Sequence, residues 1–259
     1  MLKHTEDPLV FNTAINRTKY AQAGNNESHC PFCETASLTH ILATEGDKIW
    51  LMNKYPTIEK TFMTVLIESA EHLGDISTSS QAENRSLFRF ALDCWQQTID
   101  SGKYKSVLMF KNFGPMSGGS LRHPHLQIVG LETVDGYEEV GPENFQGLEI
   151  KSADGLSITI SDQPIMGWNE INVILVDRAA VDQMADAVQA VTHYLLTDFM
   201  NGRCKSYNLF FYQFDGQTTC KIVPRFLTSP YFIGYKIPQV NKIGRLQEMK
   251  IEIERTLTC

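Results

Sequence analysis

Short apolar runs alternate with polar, glycine-marked breaks along the chain, and longer stretches carry helical spacing. Ile49-Trp50-Leu51-Met52 and Phe62-Met63-Thr64-Val65-Leu66-Ile67 have the length and the β-branched, aromatic content of strands. Residues 81–100 place Leu87, Phe90, Ala91, Cys94, Trp95 and Thr98 on one side at 3-and-4 spacing. That predicts an amphipathic helix capped by Ser79 or Ser80 and ended by Gly102, with Cys94 and Trp95 in the core. Strands follow over 104–110 and 126–131. The acidic, Gly/Pro-punctuated segment 132–147 separates two halves, drawn here as 1–140 and 141–259. The second half repeats the order of the first. Strands are expected at 148–150, 156–160 and 171–176, and a helix at 179–200 with Val181, Met184, Val188, Val191 and Leu195 as its apolar face. A hairpin then turns at Asp215-Gly216 between 207–212 and 220–225. A charged helix over 240–257 comes last, with Ile243, Leu246, Met249, Ile253 and Leu257 inward. The expected class is α+β, with two antiparallel-sheet halves that each carry a covering helix.

Composition narrows the function without naming it. The 259 residues are 42% hydrophobic and 20% charged, as in an ordinary globular chain long enough for a sizeable core. A net charge of −7 argues against a general nucleic-acid or anionic-membrane partner. No apolar run reaches the ~20 residues that span a bilayer, and MLKHTEDPLVFN has no apolar signal core. Of six cysteines only Cys30 and Cys33 are close together, which fits a reducing cytoplasm and not a disulfide framework. Their C-x2-C spacing lets two thiolates grip one tetrahedral ion, although alone it reads equally as two buried thiols. Residues 1–29 are polar, without a clear period, and are expected to form an extended arm.

The chemistry gathers in one stretch, residues 110–131, FKNFGPMSGGSLRHPHLQIVGL. A loop with Gly114, Gly118, Gly119 and Ser120 runs directly into His123-Pro124-His125. Glycines let backbone N–H groups approach an anion, and residues at i and i+2 on a strand share a face. The stretch therefore sets a phosphate-sized cradle beside two imidazoles and the amide of Gln127. Imidazole attacks phosphorus and leaves again, so a nucleotidyl-transfer site is expected. Lys54, Lys111 and Arg122 are nearby basic residues, equally suited to offsetting substrate charge or to a solvated surface.

GGS-x-x-HPH-x-Q after a strand ending in an Asn-x-Gly turn resembles the galactose-1-phosphate uridylyltransferases and their relatives in the histidine-triad superfamily, most closely an uncharacterised bacterial branch. The resemblance extends upstream to the Asn53-Lys54-Tyr55-Pro56 turn and to Glu68-Ser69-Ala70-Glu71-His72, where Ala70 stands in place of the family's proline. It implies a duplicated histidine-triad fold whose second half has lost the catalytic motif; the last hairpin strand here reads CKIVPR, without histidines. His193, on the second helix, is expected to be a surface or satisfied histidine. The resemblance implies a structural zinc on Cys30, Cys33, His72 and His123. It implies His125 as the nucleophile, and an arm that packs near the nucleotide. Gln127 and Ser120 would assist at the phosphate with Asn112, Gly118 and Gly119, and Asn53 would reach the nucleoside or phosphate. Near the C-terminus, Phe232-Ile233-Gly234-Tyr235-Lys236 resembles a Val-Gly-Tyr-Glu segment that reaches the sugar across a dimer in the galactose enzymes. Tyr235 is kept, the acidic residue is Lys236, and an expected lysine is Pro230, which favours an acceptor other than galactose 1-phosphate.

Three readings follow. The first is a nucleotidyltransferase acting on nucleotide-sugars or related phosphorylated small molecules through a nucleotidyl-histidine, as a possible homodimer. The second is a phosphorylase or hydrolase of nucleoside diphosphate sugars or dinucleoside polyphosphates. The third is an idle nucleotide-binding regulator, against which the complete HPHLQ argues.

Overall fold

The computed structural model describes residues 8–15, 30–153, 155–214, 216–226 and 229–258. The first repeat contains β1 (Ile41–Glu45), β2 (Lys48–Met52), β3 (Thr61–Ile67), helix α1 (Gln81–Asp100), β4 (Ser106–Phe113) and β5 (His125–Leu131). The second contains β6 (Gly147–Ala153), β7 (Leu156–Ser161), β8 (Ile171–Leu175), helix α2 (Val181–Thr197), β9 (Tyr207–Phe214) and β10 (Gln217–Pro224), followed by α3 (Pro230–Tyr235) and α4 (Ile243–Leu257). Strand order is β1-β2-β3-β5-β4 in the first and β6-β7-β8-β10-β9 in the second. The same order twice, from two meanders each interrupted by a helix before its last two strands, is a duplicated α+β histidine-triad-like fold. The first strand of each repeat also carries a bulge, between Ile41 and Ala43 in β1 and between Glu149 and Lys151 in β6. An extra residue there bends the strand out of register with its partner.

Packing divides the described residues into two units, one from 1–74, 90–109 and 121–138 and the other from 75–89, 110–120 and 139–259. In the first, Leu66, Ile67, Trp95, Met109 and Ile128 are fully buried. Each such side chain contributes roughly 1.5–3 kcal/mol by leaving water. The polar atoms taken inside are paired. Trp95 Nε1 donates to the Val107 carbonyl at 3.0 Å, and Trp50 Nε1 to Thr64 Oγ1 at 2.8 Å. Thr64 in turn donates to the Ile128 carbonyl, which ties β3 to β5. Burial raises the Cys94 thiol to about 12, so this cysteine is a core group and not a reactive one. Helix α1 starts with Ser80 as its cap: the Glu83 N–H donates to Ser80 Oγ and the Ser80 N–H to Glu83 Oε2.

In the second unit Ile158, Ile160, Ile171, Val173, Met184, Val188, Val191 and Ile222 form the core, and α4 packs on α2 and β6. Leu246, Met249 and Ile253 are buried there as expected, whereas Ile243 is 63% exposed because the packed stripe begins one turn later. The polar segment after His72 is taken inside: Asp75, Ile76 and Ser77 are buried. Tyr207 donates to Asp75 Oδ1 at 2.7 Å, Ser77 Oγ to Asp75 Oδ2 at 2.6 Å, and Gln189 to the Ile76 carbonyl at 2.8 Å. The fourth strand runs past Phe110 to Phe113, because Lys111 is taken inside beside Asp75, with Nζ 3.7 Å from Oδ1. A lysine buried against a carboxylate is not free to offset substrate charge. Lys54 and Arg122 are exposed. His193 is exposed too and lies 3.3 Å from the Ser77 carbonyl, a satisfied histidine. Of the expected arm, residues 8–15 are described, with a bridge from Phe11 to Ile58; the rest lies outside the described residues. No helix among the described residues is long and apolar enough to cross a membrane.

Candidate active site and metal centre

Cys30 and Cys33 flank a tight turn in which the Cys33 N–H donates to the Cys30 carbonyl. His72 follows β3, and His123 lies at a bend in the approach to β5, not on the strand itself. The four ligand atoms converge within 4.8 Å of one another. Cys30 Sγ is 3.6 Å from His123 Nδ1, and Cys33 Sγ is 3.5 Å from both His72 Nδ1 and His123 Nδ1. A tetrahedral ion with metal–sulfur and metal–nitrogen bonds of about 2.3 and 2.0–2.1 Å has a sulfur–nitrogen edge of about 3.5 Å. The donors are therefore already at the spacing of a coordination polyhedron. His123 Nε2 lies 2.9 Å from the Ser69 carbonyl, which can only accept, so Nε2 holds the proton and Nδ1 offers its lone pair inward. Burial, and then Cys30 beside it, push the Cys33 thiol above its ordinary range, and a divalent cation would relieve that crowding of sulfurs. The residues fit a Cys2His2 metal site.

His125 opens β5 opposite Ile67 and is 8% exposed. Its Nδ1 lies 2.8 Å from the His123 carbonyl, so Nδ1–H donates and Nε2 carries the lone pair. The Phe32 ring stands edge-on to both imidazoles, at 5.8 Å from His123 and 5.5 Å from His125. His123 is thus linked to His125 through one carbonyl: the ring of His123 faces sulfur while its carbonyl orients His125. Gln127, half-buried, pairs with Val65 of β3 and lies two residues along the same strand as His125. Asn53 is half-buried at the end of β2, where its Oδ1 accepts the Tyr55 N–H at 2.9 Å.

The glycine loop belongs to the other packing unit. Gly118, Gly119 and Ser120 are exposed and Asn112 is half-buried. Gly114 has φ +82°, and an added Cβ would lie 2.1 Å from the Lys205 carbonyl, so no other residue fits there. The Ser117 side chain donates to the Gly114 carbonyl at 2.7 Å, and the Met116 N–H donates to Ser206 Oγ at 2.9 Å. Asn208, on β9 beside the end of β4, donates from Nδ2 to Asn112 Oδ1 at 2.6 Å and to the Ser117 carbonyl at 3.1 Å. Sequence reasoning did not single out Asn208. Its signal was present, an asparagine inside an otherwise apolar strand run. Tyr235 ends α3 and is 74% exposed. On β10, Lys221 is buried against Glu170 at 2.9 Å; burial lowers its pKa and Glu170 opposes the shift.

The chain matches the family profiles "Domain of unknown function (DUF4931) N-terminal domain" over residues 11–134 and its C-terminal counterpart over 137–257. A crystal structure of a DUF4931 family protein from Bacillus cereus is 43% identical, with a TM-score of 0.77 over 85% of this chain and 100% of that one. At 16% identity, a uridylyltransferase structure superposes with a TM-score of 0.70 over 90% of this chain and 92% of that one. An ADP-glucose phosphorylase from Arabidopsis thaliana with bound ADP-glucose, also 16% identical, gives 0.70 over 96% and 97%. These two share the fold. A search of curated proteins returned no match. With both halves matched in order and a relative of this identity covered end to end, the chain belongs to the DUF4931 family.

Proposed function

We propose that the chain is a nucleotidyltransferase that carries a nucleoside monophosphate on His125 between two phosphorylated compounds. The observation that carries the reading is the hydrogen bond from His125 Nδ1–H to the His123 carbonyl. In the neutral ring it puts the lone pair on Nε2, oriented by backbone and needing no base to activate it. Nε2 attacks the α-phosphorus, and the bond from that phosphorus to the bridging oxygen breaks. The leaving phosphate departs with the electron pair. In the return step an acceptor phosphate oxygen attacks the same phosphorus, the phosphorus–nitrogen bond breaks, and Nε2 regains its lone pair. Nδ1 keeps its proton throughout.

Gln127 and Ser120 would donate to phosphoryl oxygens as charge shifts, and Asn112 and the Gly118-Gly119 backbone are proposed for the same task. Asn53 is proposed for the nucleoside or phosphate. The metal on Cys30, Cys33, His72 and His123 is proposed to be zinc; a closed site of this kind supplies folding energy and has no open position for substrate. In this reading residues 1–140 carry the chemistry and 141–259 the supporting repeat. A shared fold with a uridylyltransferase and an ADP-glucose phosphorylase supports nucleoside diphosphate sugars as the first substrates to try. Phosphorolysis is the second reading. Lys236, at the end of α3 beside Tyr235, favours it, because a cationic side chain suits a small anionic acceptor.

The test is incubation with UDP-glucose or ADP-glucose labelled at the α-phosphate and no acceptor. Acid-labile label on the protein, about one per chain, is expected. Release as a nucleotide-sugar by added sugar 1-phosphate supports transfer, whereas release as a nucleoside diphosphate by inorganic phosphate supports phosphorolysis. A protein that takes up no label from either donor, with zinc bound, would sink both readings.

A further inference from the structure

We infer that Asn208 is a positioning residue that fixes the amide of Asn112 and clamps the glycine loop, so that Asn112 presents its NH2 to phosphate. The inference rests on the proposed reading of Asn112 and the loop as a phosphate cradle. Asn208 is 2% exposed, and its Nδ2 lies 3.4 Å from the Lys111 carbonyl and 3.1 Å from the Ser117 carbonyl. Both are backbone oxygens that only accept, so the atom between them is the nitrogen. The Asn112 atom 2.6 Å from that nitrogen must then be an oxygen. Asn112 is thereby held in one amide orientation, with its own Nδ2 turned away from Asn208. A side-chain amide left to itself offers a phosphate oxygen either a donor or a repelling acceptor; this one offers the donor.

Two further observations bear on the point. Asn208 Oδ1 is buried without a hydrogen-bond partner among the described residues. A bare buried oxygen is costly, and an apolar side chain would avoid the cost, so what the position supplies is the donor. The loop closes on Asn112 from its other side. A Cβ on Gly119 would lie 3.1 Å from Asn112 Cβ, and the Gly119 N–H reaches Ser117 Oγ at 3.4 Å. Asn208 therefore ties strand β4, strand β9 and the loop through a single nitrogen. The second repeat has no histidines on its own last strand, yet through this asparagine it holds the cradle.

The experiment uses the full-length zinc-loaded protein, amide hydrogen exchange over 114–120, and titration with UDP and with ADP as probes. Asn208→Ala should speed exchange of the loop amides and weaken diphosphate binding by about tenfold or more, having lost a charge-assisted geometry. Asn112→Asp keeps an acceptor toward Asn208, so loop exchange should stay at the parent rate. It replaces the outward donor with a carboxylate oxygen, so binding should weaken at least as much. This crossed pattern is what a merely structural asparagine would not produce. Unchanged loop exchange in Asn208→Ala overturns the clamp, and unchanged binding in Asn112→Asp overturns the donor assignment; the latter also reads the inference if Asn208→Ala does not fold. Loss of labelling at His125 with diphosphate binding intact would overturn the transfer reading alone. Failure of the parent to bind either diphosphate would overturn the phosphate role inferred here as well.

Discussion

His123 and His125 are two positions apart and carry the same ring, yet each is protonated on the opposite nitrogen. His123 gives Nε2–H to the Ser69 carbonyl and turns Nδ1 to the cysteines, whereas His125 gives Nδ1–H to the His123 carbonyl. Loss of each should therefore read out differently. His125→Ala should retain metal, melt near the parent and take up no nucleotide label. His123→Ala should lose or loosen metal and melt early, measured as bound zinc and thermal midpoint on one preparation. The HPH spacing in the sequence located the pair but not the two backbone carbonyls that orient the rings differently. Asn208 stands out in its apolar strand, but its partner could not be read from the sequence for a plain reason. Its partner Asn112 is 96 residues away, and only the pairing of β9 with β4 sets two unrelated asparagines side by side.

At the scale of elements, helix α1 was the most legible, since its apolar stripe, its serine cap and its terminal glycine all agree along one short stretch. The capping box is mutually satisfied, so Ser80→Ala should destabilise the protein by about 1 kcal/mol, read as a lower denaturant midpoint with nucleotide labelling of the folded protein unchanged. Strand β1 went unread because it is an edge strand with four of its five residues exposed, and exposure erases the alternation that marks a half-buried strand. The extension of β4 past Phe110 was hidden by Lys111, whose charge signals an end only until Asp75 is known to lie beside it. The burial of Asp75, Ile76 and Ser77 was hidden in the same way, since polar residues go inside only where they satisfy one another.

At the scale of the molecule, the Cys2His2 cluster that could hold a metal joins three separated pieces of chain, the knuckle at 30–33, the turn after β3 and the approach to β5. A metal that binds only this folded arrangement adds its binding free energy to folding. Chelation should lower the melting temperature. Cys30→Ser should reproduce most of that loss, with zinc content reduced on elemental analysis; undiminished zinc with an unchanged midpoint would rule the site out. A half-buried knuckle with one exposed thiol also makes this the part of the molecule most open to chelator.

The paired bulges have a consequence of a different kind. Strands β1 and β6 stand last in the strand order of their repeats, each with one rim unclaimed by any neighbour in that order. A flat rim of free N–H and C=O groups is a template on which another chain can lay a strand. The extra residue in β1 and in β6 bends that template, and in β6 it does so between Glu149 and Lys151. A bent rim is a poorer template for a strand from another copy than a flat one.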